Sequence, residues 1–103
     1  MPNTVNHSHD ISLQDAAQLT KNYRDAHPGA VIAQRFEKSA IADIINQEGC
    51  VSIRIYYAQT SGGAPQLVIT GVDCNNNDMY TGKLVEYGHP CPSDCSSSNP
   101  LNS

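Results

Sequence analysis

Tryptophan is absent from this 103-residue chain, and phenylalanine occurs once, at Phe36. No stretch approaches the ~20 consecutive apolar residues that span a bilayer. Basic residues are few, six against ten acidic ones, for a net charge of -4. They form no cluster, which argues against binding nucleic acid through its phosphates and against docking on an anionic membrane surface. The opening residues, MPNTVNHSHD, contain neither a charged start nor an apolar run. A secretory leader needs both, so a chain that truly starts here is expected in the cytoplasm, where thiols stay reduced. There is no Gly-x-Ser-x-Gly elbow, no phosphate-cradling glycine loop and no Cys-x-x-Cys pair. Those absences remove the usual signatures of serine hydrolases, P-loop enzymes and thioredoxin-like redox catalysts.

What is present suits one small domain. Residues 1–10 have almost no apolar content and read as a flexible leader. Within it, His7-Ser8-His9-Asp10 could hold a stray metal ion, but a solvated terminus explains it as well. Residues 91–103 are rich in Cys, Ser, Asn and Pro and read as a C-terminal tail. The single domain is then expected over residues 11–90. About 80 foldable residues bury only roughly 60–65% of their unfolded surface, enough for one core and too little for a deep enclosed active site.

A helix is expected from Ser12 to about His27. Ser12 can cap it, with Asp15 at capping-box spacing. Leu13, Ala16, Ala17, Thr20 and Tyr23 recur at three- and four-residue steps, so they fall on one stripe. His27-Pro28-Gly29 ends it. The stretch from Ala30 to Phe36 reads as an edge strand or an extended connector, with Phe36 packing in the core beside the next helix. That helix is expected from Lys38 to Glu48, with Ala40, Ile41, Ile44 and Ile45 on its apolar face and Gly49 as a left-handed stop.

"VSIRIYYA" then alternates, with Val51, Ile53, Ile55 and Tyr57 on one face and Ser52, Arg54, Tyr56 and Ala58 on the other. A loop holding Gly62 and Gly63 leads into "QLVITGVD". Setting Ile55 opposite Ile69 also sets Tyr57 opposite Leu67, Tyr56 opposite Val68 and Arg54 opposite Thr70. A one-residue slip would swap the two faces, so this register is strongly specified. The same register places Cys50 opposite Cys74, where antiparallel neighbours lie roughly 4.5–5.5 Å apart, within disulfide range on oxidation. "DCNNND" has the alternate acidic and amide spacing of a calcium loop. However, Asp78 stands where the loop needs glycine and Leu84 where it needs glutamate, so a tight turn is the better reading. A third strand is expected from Tyr80 to Tyr87, weakened at Gly82.

"IINQEGCVSIRIYYA", "VITGVDCNNNDM" and "EYGHPCPSDC" together resemble an uncharacterised family of short bacterial proteins, over Ile11 to Cys95. The resemblance implies an independent small protein. It carries no activity, substrate or catalytic residue to transfer.

Cys91 and Cys95 are the remaining candidates for chemistry. Three intervening residues are compatible with zinc ligation, and His89 is a third candidate ligand, with Cys50 and Cys74 further away in sequence. The pair could equally form a disulfide, or simply lie in a turn fixed by Pro90 and Pro92. A thiol enzyme built from Cys50 or Cys74 with His27 or His89 is a distant third reading. Glu37, Asp43, Glu48 and Glu86 are scattered over expected solvent faces.

The expected architecture is α+β: two helices on one face of a three-stranded antiparallel meander, with Ala30 to Phe36 a candidate fourth strand. Its far face would present Arg54, Tyr56, Val68 and Val72 to a protein partner or a second copy. The expected function is a small non-enzymatic interaction or self-associating module. The alternative is a zinc-stapled regulator using Cys91 and Cys95.

Overall fold

Ser12 does cap the first helix: its Oγ accepts the Asp15 N–H at 3.0 Å, and α1 spans Leu13–Ala26. The chain then turns at Gly29, whose φ of +78° suits a residue without a Cβ. The computed structural model describes residues 8–103. Most of the expected leader, including His7, lies outside the described residues.

The class is α+β, with two helices and two antiparallel sheets. Where one domain is expected over residues 11–90, the described chain divides into two compact units. One is Phe36–Gly88. The other joins residues 8–35 to His89–Ser103, so the expected tail is part of a unit. No described helix is long and apolar enough to cross a membrane.

In the first unit, α2 (Lys38–Ile45) precedes the meander of β2 (Ser52–Gln59), β3 (Pro65–Val72) and β4 (Leu84–Val85), in spatial order β2-β3-β4. The register is the expected one throughout. Ile55 pairs with Ile69, Tyr57 with Leu67, Tyr56 with Val68 and Arg54 with Thr70. β4 is shorter than the strand expected from Tyr80 to Tyr87. Residues 79–83 instead make a turn in which Gly82 N–H donates to the Met79 carbonyl at 3.0 Å. Gln47 anchors this turn from the end of α2. Its Oε1 accepts the Lys83 N–H at 2.8 Å, and its Nε2 donates to the Ile44 carbonyl at 3.0 Å. Gly71 and Gly82 make room for it, since a Cβ at either position would press on the Gln47 amide. The core is Ile44, Ile69 and Val85, with Phe36, Ala40, Ile41 and Cys50 packed against it. Phe36 therefore sits beside α2 as expected.

In the second unit, β1 (Ala33–Arg35) forms within the expected edge strand but does not extend the meander. It pairs with β5 (His89–Cys91), Ala33 opposite Cys91 and Arg35 opposite His89. Pro90 is tolerated because a two-stranded sheet has only edges. No residue of α1 is buried. In its expected stripe Ala16, Ala17 and Thr20 are half-buried, whereas Leu13 and Tyr23 are exposed.

Candidate functional site

The cysteines are arranged as follows. Cys91 and Cys95 are bonded to each other, with Cα atoms 4.8 Å apart, while Cys50 and Cys74 are free thiols. In this form Cys91 and Cys95 present no thiolate, and His89 stands beside a closed disulfide. Among the described residues no group of three or more His, Cys, Asp or Glu side chains converges on a common point. Cys50 and Cys74 lie beyond the paired part of the hairpin. The β2–β3 ladder ends at Ser52 and Val72, and Val72 then bridges to Asp78. Residues 73–77 therefore belong to the next turn. Cys50 Sγ turns inward, 3.2 Å from the Ser52 carbonyl, and Cys74 is exposed on the turn. That turn is the expected asparagine turn. Asp73 Oδ1 accepts the N–H groups of Asn75 and Asn77, and Asn76 adopts a left-handed φ of +66°.

The expected partner surface also looks different. Val72 is only 2% exposed, and Val68 is half-buried. Arg54 and Tyr56 are committed to Asp78: the guanidinium Nη1 donates to one carboxylate oxygen and the phenol to the other. Arg54 Nη2 also donates to Asn76 Oδ1 at 2.7 Å. The Tyr56 hydrogen bond, and then Arg54, hold the Asp78 carboxyl below the usual range despite partial desolvation. The same bond to Asp78 raises the Tyr56 phenol and the Arg54 guanidinium. This cluster fastens the 73–78 turn onto β2, and its polar groups satisfy one another.

The opposite face of β2 is the open one. Val51 is 63% exposed, Ile55 46% and Tyr57 94%, and Ile53 is also exposed. Sequence places these residues in the core, yet none of them belongs to it. Helix length explains the discrepancy. Eight residues of α2 reach about 12 Å at ~1.5 Å each, whereas eight residues of β2 extend about 26 Å at ~3.3 Å each. The helix spends its short apolar face on Ile69 of β3 and Val85 of β4. Ile45, at its end, is half exposed as well. β2 is also an edge strand, so its outer backbone groups have no partner strand among the described residues. Side chains on one face of a strand repeat about every 6.6–6.8 Å. Ile53, Ile55 and Tyr57 thus make one continuous apolar row beside an unpaired edge, with Val51 exposed just before the strand begins.

A second feature lies in the other unit, a cleft of about 450 Å³ lined by Thr20, Ile32, Ala33, Cys91 and Leu101 with Arg35 and Asp94. Arg35 is held by Asp94 through two hydrogen bonds of 2.9 and 3.0 Å. Asn99 and Asn102 of the same cleft are bonded within the C-terminal residues. The cleft is largely apolar, and its charged groups are already paired with each other.

No family model matches the chain, and neither a curated protein nor a solved structure matches it.

Proposed function

We propose that this chain is a small non-enzymatic protein-interaction module whose contact surface is the outer edge and apolar face of β2. The observation that carries this reading is the row Ile53, Ile55 and Tyr57, exposed on an edge strand and excluded from the core, with exposed Val51 just before it. Exposed apolar rows of this kind mark docking surfaces, and edge strands offer main-chain hydrogen bonds to a partner. Kinship with short bacterial proteins is part of the same proposal and adds no activity to it. A photo-crosslinking amino acid in place of Tyr57 tests the reading in cell lysate. The expected result is a crosslinked species from position 57 and none from the exposed control position Asp43 on α2. Equal yields at both positions, or none at 57, would count against it.

We further propose a cytoplasmic location, where Cys91 and Cys95 would be held as thiols. Alkylation in intact cells followed by intact mass measures this directly. All four cysteines labelled is the expected result. Two labelled cysteines would place the chain in an oxidising compartment.

A further inference from the structure

We infer that the occupant of this surface is a second copy of the chain, joined by antiparallel pairing of β2 with β2 of the partner subunit about a two-fold axis at Ile55. This deepens the function proposed above and rests on it.

The first support is the contrast among strand edges. Natural edges are blunted by shortness, charge, proline or bulges. β4 has two residues, β1 has three, and β5 carries Pro90. β2 has eight residues in continuous register and contains no proline or lysine. It is the long edge left open for pairing.

The second support is that β2 is complementary to itself. An axis at Ile55 sets Ile55 against Ile55 of the partner subunit, and Ile53 against Tyr57 of the partner subunit. Both contacts lie on the α2 side, where the row is exposed. They are apolar and aromatic–aliphatic cross-strand pairs, the kinds that stabilise sheets. On the other side Arg54 comes to lie against Tyr56 of the partner subunit, a cation–aromatic pairing. Arg54 is the only charged side chain of β2, and Asp78 already balances it within each copy. Two copies therefore meet without like-charge repulsion. Moving the axis to Arg54 would bring two guanidinium groups face to face, so charge disfavours that register. The product is a six-stranded sheet of ordinary size, with both α2 helices on one face.

The test is mass by size-exclusion chromatography with light scattering on the full purified chain. Wild type is expected at twice the chain mass. Ile55→Lys and Ile55→Glu are each expected to be monomeric, since each opposes two like charges at the axis. An equimolar mixture of the two should recover the doubled mass, because lysine then faces glutamate. Ile55 is half exposed and outside the core, and far-UV circular dichroism confirms that each variant folds. Ile53→Lys mixed with Tyr57→Glu reads the second contact in the same way, should an Ile55 variant fail to fold. A wild type that stays monomeric at its highest soluble concentration overturns the self-pairing, as does a charge-swapped mixture that stays monomeric. A monomer that still crosslinks from position 57 in lysate would leave the interaction module standing with a different partner. A monomer that does not crosslink removes both.

Discussion

The two units hold themselves together by different means. Phe36–Gly88 is built on apolar packing, with Ile44, Ile69, Val72 and Val85 buried and the eight-pair β2–β3 ladder spread beneath α2. The unit made of residues 8–35 and His89–Ser103 has Cys91 as its one buried described residue. It relies on polar and covalent ties. Arg24 donates to the carbonyl of Leu101 at 2.7 Å and to that of Ser103 at 2.9 Å, Arg35 clasps Asp94, and Cys91 is bonded to Cys95. Exposed ion pairs contribute little individually, whereas buried aliphatic side chains contribute kilocalories. The apolar unit should therefore be the more stable of the two. It is also the one that can leave an apolar row uncovered and still fold.

The contrast breaks most sharply at Ile44, the fully buried side chain of the core. Ile44→Ala should cost about 2–5 kcal/mol, read as a lower urea midpoint of the β2–β3 sheet signal. An effect near zero would mean that the apolar unit does not rest on this core. Next is the covalent tie. In protein purified without reductant, where this bond is closed, so short a loop is worth about 2 kcal/mol in the chain-entropy model, and Cys91→Ser should loosen the second unit by that amount. Faster amide exchange at His89–Cys91, with β3 unchanged, is the expected pattern. Smaller again is the cap. Ser12→Ala should cost about 1 kcal/mol of α1 stability, seen as fraying of the first turn by nuclear magnetic resonance.

The smallest effect is expected at Asp94. The hydrogen bonds from Arg35, and then nearby positive charge including His89, lower its native pKa against partial desolvation. A lowered native pKa means that the contribution is full above the ordinary carboxylate value. It is lost as pH falls through the lowered one. Asp94→Asn should flatten the acid sensitivity of the β1–β5 pairing and leave the neutral form close to wild type in structure. An unchanged acid profile would detach Asp94 from that pairing.

Parts of this structure are legible in the sequence for definite reasons. The hairpin register follows from strict alternation on both strands and a glycine-containing loop, and every expected pair of β2 with β3 forms. The cap at Ser12 and the turn at Gly29 follow from local backbone chemistry, whereas α2 ends at Ile45, short of the expected Glu48, and Gly49 takes its left-handed conformation beyond the helix. Three features escape. The β1–β5 pairing joins three-residue pieces with no period to read. The fate of Cys50 and Cys74 depends on where the ladder stops, and alternation does not mark that point. The open face of β2 escapes because Val51, Ile53, Ile55 and Tyr57 have the pattern of a core strand. One signal was available for it: even the expected helix Lys38–Glu48, about 16 Å long at ~1.5 Å per residue, is too short to cover a strand of about 26 Å.

Amide hydrogen exchange over a range of protein concentrations tests the role of β2 most directly. Exchange in Ser52–Gln59 should slow as concentration rises, because pairing across the open edge protects its outward N–H groups, while His89–Ser103 stays constant. Exchange in β2 that is fast and the same at every concentration would contradict the account.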